Sequence, residues 1–320
     1  MQVIRVHEYG APDALRFEEI PDPVPAAGQV RVKLEAIGVN FVDVYQRTGH
    51  YKVPLPFVPG SEGAGTIDAV GPGVTDLKPG DRVAYRGPLG AYAQYHVIPS
   101  DRAVLLPAKV PSKLGAAVIL QGMTAHYLTT STFPLQPGQS CLIHAAAGGT
   151  GLLLVQIAKH RGARVIATVS TPEKAALARA AGADEVLSYD DVPTEVRRLT
   201  GGRGVDVVYD SVGRDTFDRG LDALHTRGMM VLFGGSSGPV PPVDPLVLMR
   251  KGSLFLTRPT LDNYSSDTAE MRQRAGDVLS WIADGWLDVR IGHEYALRDA
   301  ADAHRALEAR QTTGKVLLIP

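Results

Sequence analysis

A doubly wound α/β domain joined to a smaller β-domain is the fold class this sequence predicts, and three observations predict it. From residue 140 onward, continuous apolar runs such as Val205–Asp210 (VDVVYD) and residues 229–234 (MMVLFG) alternate with helical stretches. Strands of that texture are covered on both faces, as in a parallel sheet. Before residue 110 the pattern differs: Val30, Val32, Leu34 and Ala36 alternate with Arg31, Lys33 and Glu35, the period of a half-buried strand. The third observation is the length, because 320 residues exceed what one core usually organises.

The N-terminal MQVIRVHEYG carries Arg5 and Glu8 inside its first apolar stretch and reads as a strand, not a signal peptide. After the alternating strand at 30–36, β-rich pieces fall at 65–70, 82–85, 92–98 and 104–106. Gly71-Pro72-Gly73 and Pro79-Gly80-Asp81 supply turns between them, which points to a compact, largely antiparallel domain. An Ala-rich apolar stretch at 114–124 reads as helix. The alternation follows: strand 141–146, helix 152–161, strand 163–169, helix 172–181, strand 185–188, a short helix near 194–199, strand Val205–Asp210, helix 215–225, and strands 229–234 and 253–257. A helix at 267–284, a β signal at 295–297, a helix at 299–310 and the strand Lys315–Ile319 complete the chain. That last strand has no partner in the α/β repeat and is expected to rejoin the N-terminal domain. The expected division is residues 1–123 with 258–320, and residues 124–257.

Composition excludes several function classes. Lys+Arg 33 against Asp+Glu 34 gives a net charge of -1, so no bulk field draws the chain to nucleic acid or an anionic membrane. No apolar run approaches the roughly 20 residues needed to span a bilayer, and a soluble, cytoplasmic protein is expected. With Cys141 as the only cysteine, a disulfide framework, a multi-cysteine zinc lobe and an iron–sulfur cluster are all excluded within one chain.

The strongest local motif is Ala145-Ala146-Ala147-Gly148-Gly149-Thr150-Gly151, between the apolar strand CLIHA and the helix LLLVQIAKH. Glycines let the backbone turn tightly against a pyrophosphate, and a new helix offers free N–H groups and a positive dipole end. The following strand decides which nicotinamide. An NAD site wants Asp or Glu at its end to accept from the ribose 2′-OH. Here that end reads Thr168-Val169-Ser170-Thr171, and Lys174 lies in the first turn of the next helix. Hydroxyls, a lysine and a helix N-terminus suit a 2′-phosphate, so NADPH is the expected cofactor.

Four segments carry a family resemblance: residues 78–83 (KPGDRV), the AAAGGTG turn, residues 209–213 (YDSVG) and the C-terminal ALRDAADAHRALEARQTTGKVLL. Together they resemble the medium-chain dehydrogenase/reductase superfamily. Residues 36–51 (AIGVNFVDVYQRTGHY) and 211–219 (SVGRDTFDR) are similar to its zinc-free NADPH:quinone oxidoreductase branch, the zeta-crystallin-like enzymes. The similarity runs from about residue 3 to 320. It implies a GroES-like β-domain built from both chain ends, a Rossmann domain inserted between them, and an active site in the cleft where they meet.

Zinc enzymes of this superfamily carry a Cys after the first catalytic strand and Gly-His-Glu soon after. This chain reads Asn40-Phe41-Val42-Asp43 and Gly60-Ser61-Glu62, without the thiolate and imidazole. Quinones and conjugated enones, whose added charge delocalises onto oxygen, are the acceptors a metal-free site reduces most easily. By resemblance, Asn40, Asp43, Tyr45 and Tyr51 line the reacting site. Tyr45 and Tyr51 are expected to donate to the acceptor, and Asn40 and Asp43 to position the nicotinamide and its ribose. The resemblance further places Thr124 and Tyr127 near the nicotinamide, Gly148, Gly149 and Thr150 at the pyrophosphate, and Ser170, Lys174 and Tyr189 at the 2′-phosphate. Ser211, Phe233, Gly234 and Ser236 fall at strand ends, Phe255, Leu256 and Thr257 follow the last strand, and Arg310 comes from the C-terminal helix.

Other conspicuous residues carry no chemistry in this reading. Cys141 opens a buried strand; His126, His144 and His304 lack neighbours at metal-ligand spacing; His50 sits at a rim; and Arg197-Arg198 is a solvated face. The leading function is NADPH-dependent quinone reduction. An NADPH-dependent enone or 2-alkenal reductase on the same scaffold stays open, and a non-catalytic crystallin-like NADPH- or RNA-binding protein is disfavoured by the charge balance. The resemblance also implies a homodimer built through edge strands of the nucleotide-binding sheet.

Overall fold

The computed structural model describes all 320 residues. It divides into two compact units, Met1–Met123 with Asp267–Pro320, and Thr124–Ser266. The first unit opens with a hairpin, β1 (Gln2–Val6) antiparallel to β2 (Leu15–Glu19), whose second strand the sequence does not signal. Then come β3 (Gln29–Val39), α1 (Phe41–Arg47), β4 (Glu62–Val70), β5 (Arg82–Arg86), β6 (Tyr95–Pro99), β7 (Ala103–Leu105) and α2 (Ser112–Tyr127), in which the unit boundary falls.

The second unit holds β8 (Ser140–Ile143), α3 (Gly149–His160), β9 (Arg164–Thr168), α4 (Pro172–Ala180), β10 (Glu185–Leu187) and α5 (Val192–Leu199). It continues with β11 (Val205–Asp210), α6 (Phe217–Ala223), β12 (Leu224–Leu232), α7 (Leu246–Arg250) and β13 (Phe255–Thr257). The chain returns to the first unit with α8 (Thr268–Ala283), β14 (Ile291–Ala296), α9 (Ala300–Glu308) and β15 (Lys315–Ile319).

In the first unit a seven-stranded sheet runs β14-β15-β3-β4-β5-β7, with β6 pairing β3. The C-terminal strand does rejoin the N-terminal sheet: β15 runs antiparallel to β3, with Val316 opposite Val39 and Leu318 opposite Ile37. The alternation read in β3 is real, since Val30, Val32, Leu34 and Ala36 are all buried. Val30, Val32 and Leu34 join Ile4, Ile67, Val83, Tyr85, Tyr92 and Leu318 in one core.

The second unit is a six-stranded sheet in the order β10-β9-β8-β11-β12-β13, parallel throughout. Successive strands leave β8 first toward β9 and then, through β11, toward the other side. The C-terminal ends of β8 and β11 therefore flank the topological switch point, where open α/β sheets bind ligands. Strand β12 starts at Leu224, where the sequence predicts helix through residue 225. The register with β11 breaks between the Val205–Leu224 and Val207–Met229 pairs, and this irregularity at Arg227 and Gly228 conceals the strand. Residues 258–266, which the sequence assigns to the first unit, stay with the second. Arg258 donates to the Leu232 carbonyl at 3.2 Å, and Tyr264 stacks on Tyr127 at 4.2 Å. No helix is long and apolar enough to cross a membrane.

Candidate active site

The glycine turn lies between β8 and α3, at the switch point. Ala145 takes φ 52, a left-handed conformation that turns the chain out of β8. Its N–H donates to the Tyr189 hydroxyl at 3.0 Å, so Tyr189 braces the turn from the far side of β9. A Cβ on Gly151 would stand 2.4 Å from the Ala145 carbonyl oxygen, so only glycine lets α3 start this close to β8. Gly148 caps α3 without a side chain, and no acidic residue occupies the first turn. Gly148, Gly149 and Thr150 are half-buried; the Gly148 N–H is spent on the Ala145 carbonyl at 3.0 Å, while Gly149 and Thr150 open α3, where first-turn N–H groups and the dipole end suit an anion.

One strand over, β9 ends at Thr168, fully buried with its hydroxyl against His144 Nδ1 at 2.8 Å. No carboxylate stands at this end. Instead Thr171 caps α4 by accepting from the Lys174 N–H, and Lys174 Nζ donates to Ser170 Oγ at 3.4 Å. Ser170, Thr171 and Lys174 thus gather beside the glycine turn, as the sequence predicts. Exposed Glu173 shares this turn, its carboxyl held below its ordinary value by the Thr171 hydroxyl.

Beyond β11 the chain is ordered by Asp210, a residue the sequence reading passed over. Its buried carboxylate accepts from the N–H groups of Val212 (2.7 Å) and Gly213 (3.0 Å) and from the Thr216 hydroxyl. The segment after β12 closes against this turn. Ser236 N–H donates to the Ser211 carbonyl at 3.2 Å, and a Cβ on Gly234 would lie 2.5 Å from that same oxygen. Ser211, Phe233, Gly234 and Ser236 are therefore brought together at the C-terminal ends of β11 and β12. Thr124 and Tyr127 lie in the last turn of α2, both buried, and Tyr264 covers the Tyr127 ring. Phe255, Leu256 and Thr257 form edge strand β13, with Phe255 exposed. Arg310 belongs to the first unit, in a left-handed turn (φ 58) after α9.

In the first unit, Asn40 is the N-cap of α1, Asp43 and Tyr45 lie within it and Tyr51 follows it; the sequence does not announce this helix. Asp43 nucleates it by accepting the Asn40 backbone N–H at 2.8 Å, and Asp43 is itself completely buried. Burial raises its carboxyl to about 7, against the lowering effect of the Asn40 N–H and the Tyr92 hydroxyl. Behind it runs a chain of donors. Arg47 donates to His304 Nδ1 at 3.1 Å, leaving the ring proton on Nε2, which faces the Tyr92 oxygen at 3.0 Å. Tyr92 in turn donates to Asp43 Oδ2 at 3.0 Å. Burial first, and the Arg47 charge second, pull His304 down to about 3, so the ring is neutral. Tyr45 and Tyr51 meet edge-to-face at 5.3 Å, His50 stacks on Tyr51 at 5.2 Å, and Tyr51 is 41% exposed. This aromatic group presents a face suited to a flat acceptor.

Comparison with known proteins decides the family. Residues 26–108 match the alcohol dehydrogenase GroES-like domain, and residues 149–275 match the zinc-binding dehydrogenase family. The Pseudomonas aeruginosa quinone oxidoreductase is 45% identical, with 99% of each chain covered. The Escherichia coli quinone oxidoreductase solved with NADPH superposes with TM-score 0.98 at 44% identity, covering 100% of both chains. The chain belongs to the quinone oxidoreductase family of medium-chain dehydrogenases/reductases. A Burkholderia 2-haloacrylate reductase is 42% identical over 98% of each chain, so the family spans more than one acceptor.

The zinc in one family description finds no fitting donor set here. Asn40 and Ser61 offer neither sulfur nor imidazole nitrogen, and Glu62 is ion-paired with Lys315. No group of three or more His, Cys, Asp and Glu side chains gathers to hold an ion. The residues of the second unit do fit a dinucleotide: a turn whose Gly151 leaves no room for a side chain, a helix start with no side-chain cap, and hydroxyls with a lysine where NAD enzymes place an acid.

Proposed function

We propose that this protein is an NADPH-dependent oxidoreductase that reduces quinones. Whole-length identity of 45% to a quinone oxidoreductase carries this reading, and the absence of a carboxylate after β9 supports the phosphorylated cofactor. Bound NADPH supplies the reducing electrons. The protein binds and orients. N–H groups at Gly149 and Thr150 hold the pyrophosphate, with Gly148 giving it room. Ser170 and Lys174 hold the 2′-phosphate, and Tyr189 keeps the turn in shape. Ser211, Phe233, Gly234 and Ser236 line the strand ends beneath the dinucleotide, while Thr124, Tyr127, Phe255, Leu256, Thr257 and Arg310 complete its surroundings.

On the acceptor side, Tyr45 and Tyr51 present their rings to a planar quinone and their hydroxyls as donors to its oxygens, where charge develops. Asn40 and Asp43 hold the nicotinamide end, Asp43 by fixing the start of α1. The hydroquinone oxygens take protons from water. Steady-state NADPH oxidation with 1,4-benzoquinone, a naphthoquinone, an acyclic enone and 2-chloroacrylate tests the assignment. Quinones should be the preferred acceptors, and turnover of the alkenes without any quinone would overturn it.

A homodimer is part of the proposal. Strand β13 is an open edge of the parallel sheet, and exposed Leu246, Met249 and Phe255 surround it. A cytoplasmic location agrees with the single cysteine, Cys141, free and buried.

A further inference from the structure

The Asn40 side chain is used inside the protein at both ends. Its Nδ2 donates to Glu62 Oε1 at 2.6 Å, and its Oδ1 accepts from Lys315 Nζ at 2.9 Å and from Gln121 Nε2 at 3.1 Å. Lys315 also pairs with Glu62 Oε1, and Glu62 Oε2 accepts the Leu120 N–H at 2.9 Å. The ion pair is sealed: the Lys315 and Glu62 side chains are 1% and 0% exposed. Its seat is built into the sheet, because a Cβ on Gly38 of β3 would lie 2.1 Å from Glu62 Oε1.

A lysine ammonium has only donors, and an ionised carboxylate only acceptors. One amide orientation satisfies both, with Oδ1 toward Lys315 and Nδ2 toward Glu62. A flipped amide would set NH₂ against an ammonium and a carbonyl against a carboxylate, inside a site where solvent cannot relieve either. Oδ1 is then fully occupied, and one Nδ2 hydrogen is spent on Glu62. The remaining Nδ2 hydrogen is what Asn40 offers a ligand.

We propose that Lys315, with Glu62, is a positioning residue for this site: the pair orients the Asn40 amide so that it presents an N–H donor to an oxygen of the bound ligand. The inference rests on the reading that Asn40 touches ligand. That oxygen belongs either to the quinone or to the nicotinamide end of the cofactor, and the chemistry demanded of it is the same. A cation recruited from the last strand thereby acts on the loop after β3, which explains why a lysine is buried in β15.

The test is a double-mutant cycle on Asn40→Ala and Lys315→Met, with Lys315→Arg as the conservative variant. It is read both as kcat/KM for a quinone and as the NADPH dissociation constant from fluorescence titration. Each single variant should lose about tenfold or more in one of these quantities, the scale of one charge-assisted hydrogen bond. The double variant should lose no more than Asn40→Ala alone, because both act through one amide. Lys315→Arg should recover most of the loss. A loss confined to NADPH affinity assigns the oxygen to the cofactor, and one confined to quinone turnover assigns it to the acceptor. Multiplicative losses, or a folded Lys315→Met with both quantities unchanged, would overturn the proposal. If Lys315→Met does not fold, Glu62→Gln replaces it in the same cycle with the same expected and overturning results. Absence of quinone reduction by the wild-type protein would refute the function above, while the NADPH arm would still decide the role of Lys315.

Discussion

Asp43 and His304 are joined through a single oxygen, the Tyr92 hydroxyl, and respond to acid in opposite senses. Asp43 has its carboxyl raised to about 7, so the folded state holds a proton that the unfolded chain releases above its ordinary value. Its contribution to stability therefore grows as pH falls through 7. His304 is held down to about 3, so below its ordinary value the unfolded chain takes a proton that the folded state refuses. Its contribution is lost as pH falls. Each slope is about 1.4 kcal/mol per pH unit, and between about pH 4 and 6.5 they oppose. Urea unfolding across that range should show Asp43→Asn losing stability on acidification more steeply than wild type, and His304→Gln less steeply. Equal slopes in all three proteins would contradict this. At the cofactor end, Lys174→Glu should raise the KM for NADPH at least about tenfold while changing that for NADH far less. Equal effects would mean that Lys174 does not read the phosphate. Lys174 was legible because it follows a strand end lacking an acid. Lys315 and His304 were not, since their partners Glu62 and Tyr92 lie more than two hundred residues away in sequence.

Among the elements, the β8–α3 crossing depends most on one residue. Gly151 permits the approach of α3 to the Ala145 carbonyl, so Gly151→Ala forces backbone apart and should cost about 1–3 kcal/mol in chemical unfolding. NADPH affinity should fall with it, since the same displacement moves the N–H groups of Gly149 and Thr150. An alanine protein as stable as wild type would show that the crossing is looser than its geometry indicates. Parallel strands announced themselves as unbroken apolar runs, and Val205–Asp210 matches in both ends, as does Lys315–Ile319 of the first unit's sheet. Helix α1 did not, because its seven residues start from a reciprocal bond between Asn40 and Asp43 and its polar residues point inward. Strand β2 was hidden for the opposite reason. Its LRFEE is mostly exposed and is held by backbone pairing with β1, leaving little hydrophobic pattern.

For the whole molecule, the open edge at β13 predicts the assembly. Met249→Glu places a charge among the exposed apolar side chains of α7 and β13 and should convert a dimer to a monomer in light scattering. A wild-type monomer at micromolar concentration would remove the dimer from the proposal. The sequence by itself determined the two architectures, the glycine turn and the grounds for proposing a 2′-phosphate site, because each is written within some thirty residues as periodicity, glycines and a missing acid. It also showed that zinc donors are absent. Only the tertiary structure decided what stands in their neighbourhood. Strand β15 crosses back to β3 and delivers Lys315 to Glu62 and Asn40, and α9 delivers His304 to Tyr92. Buried polar groups must find partners wherever the fold brings them, and that search runs over the whole chain rather than along it.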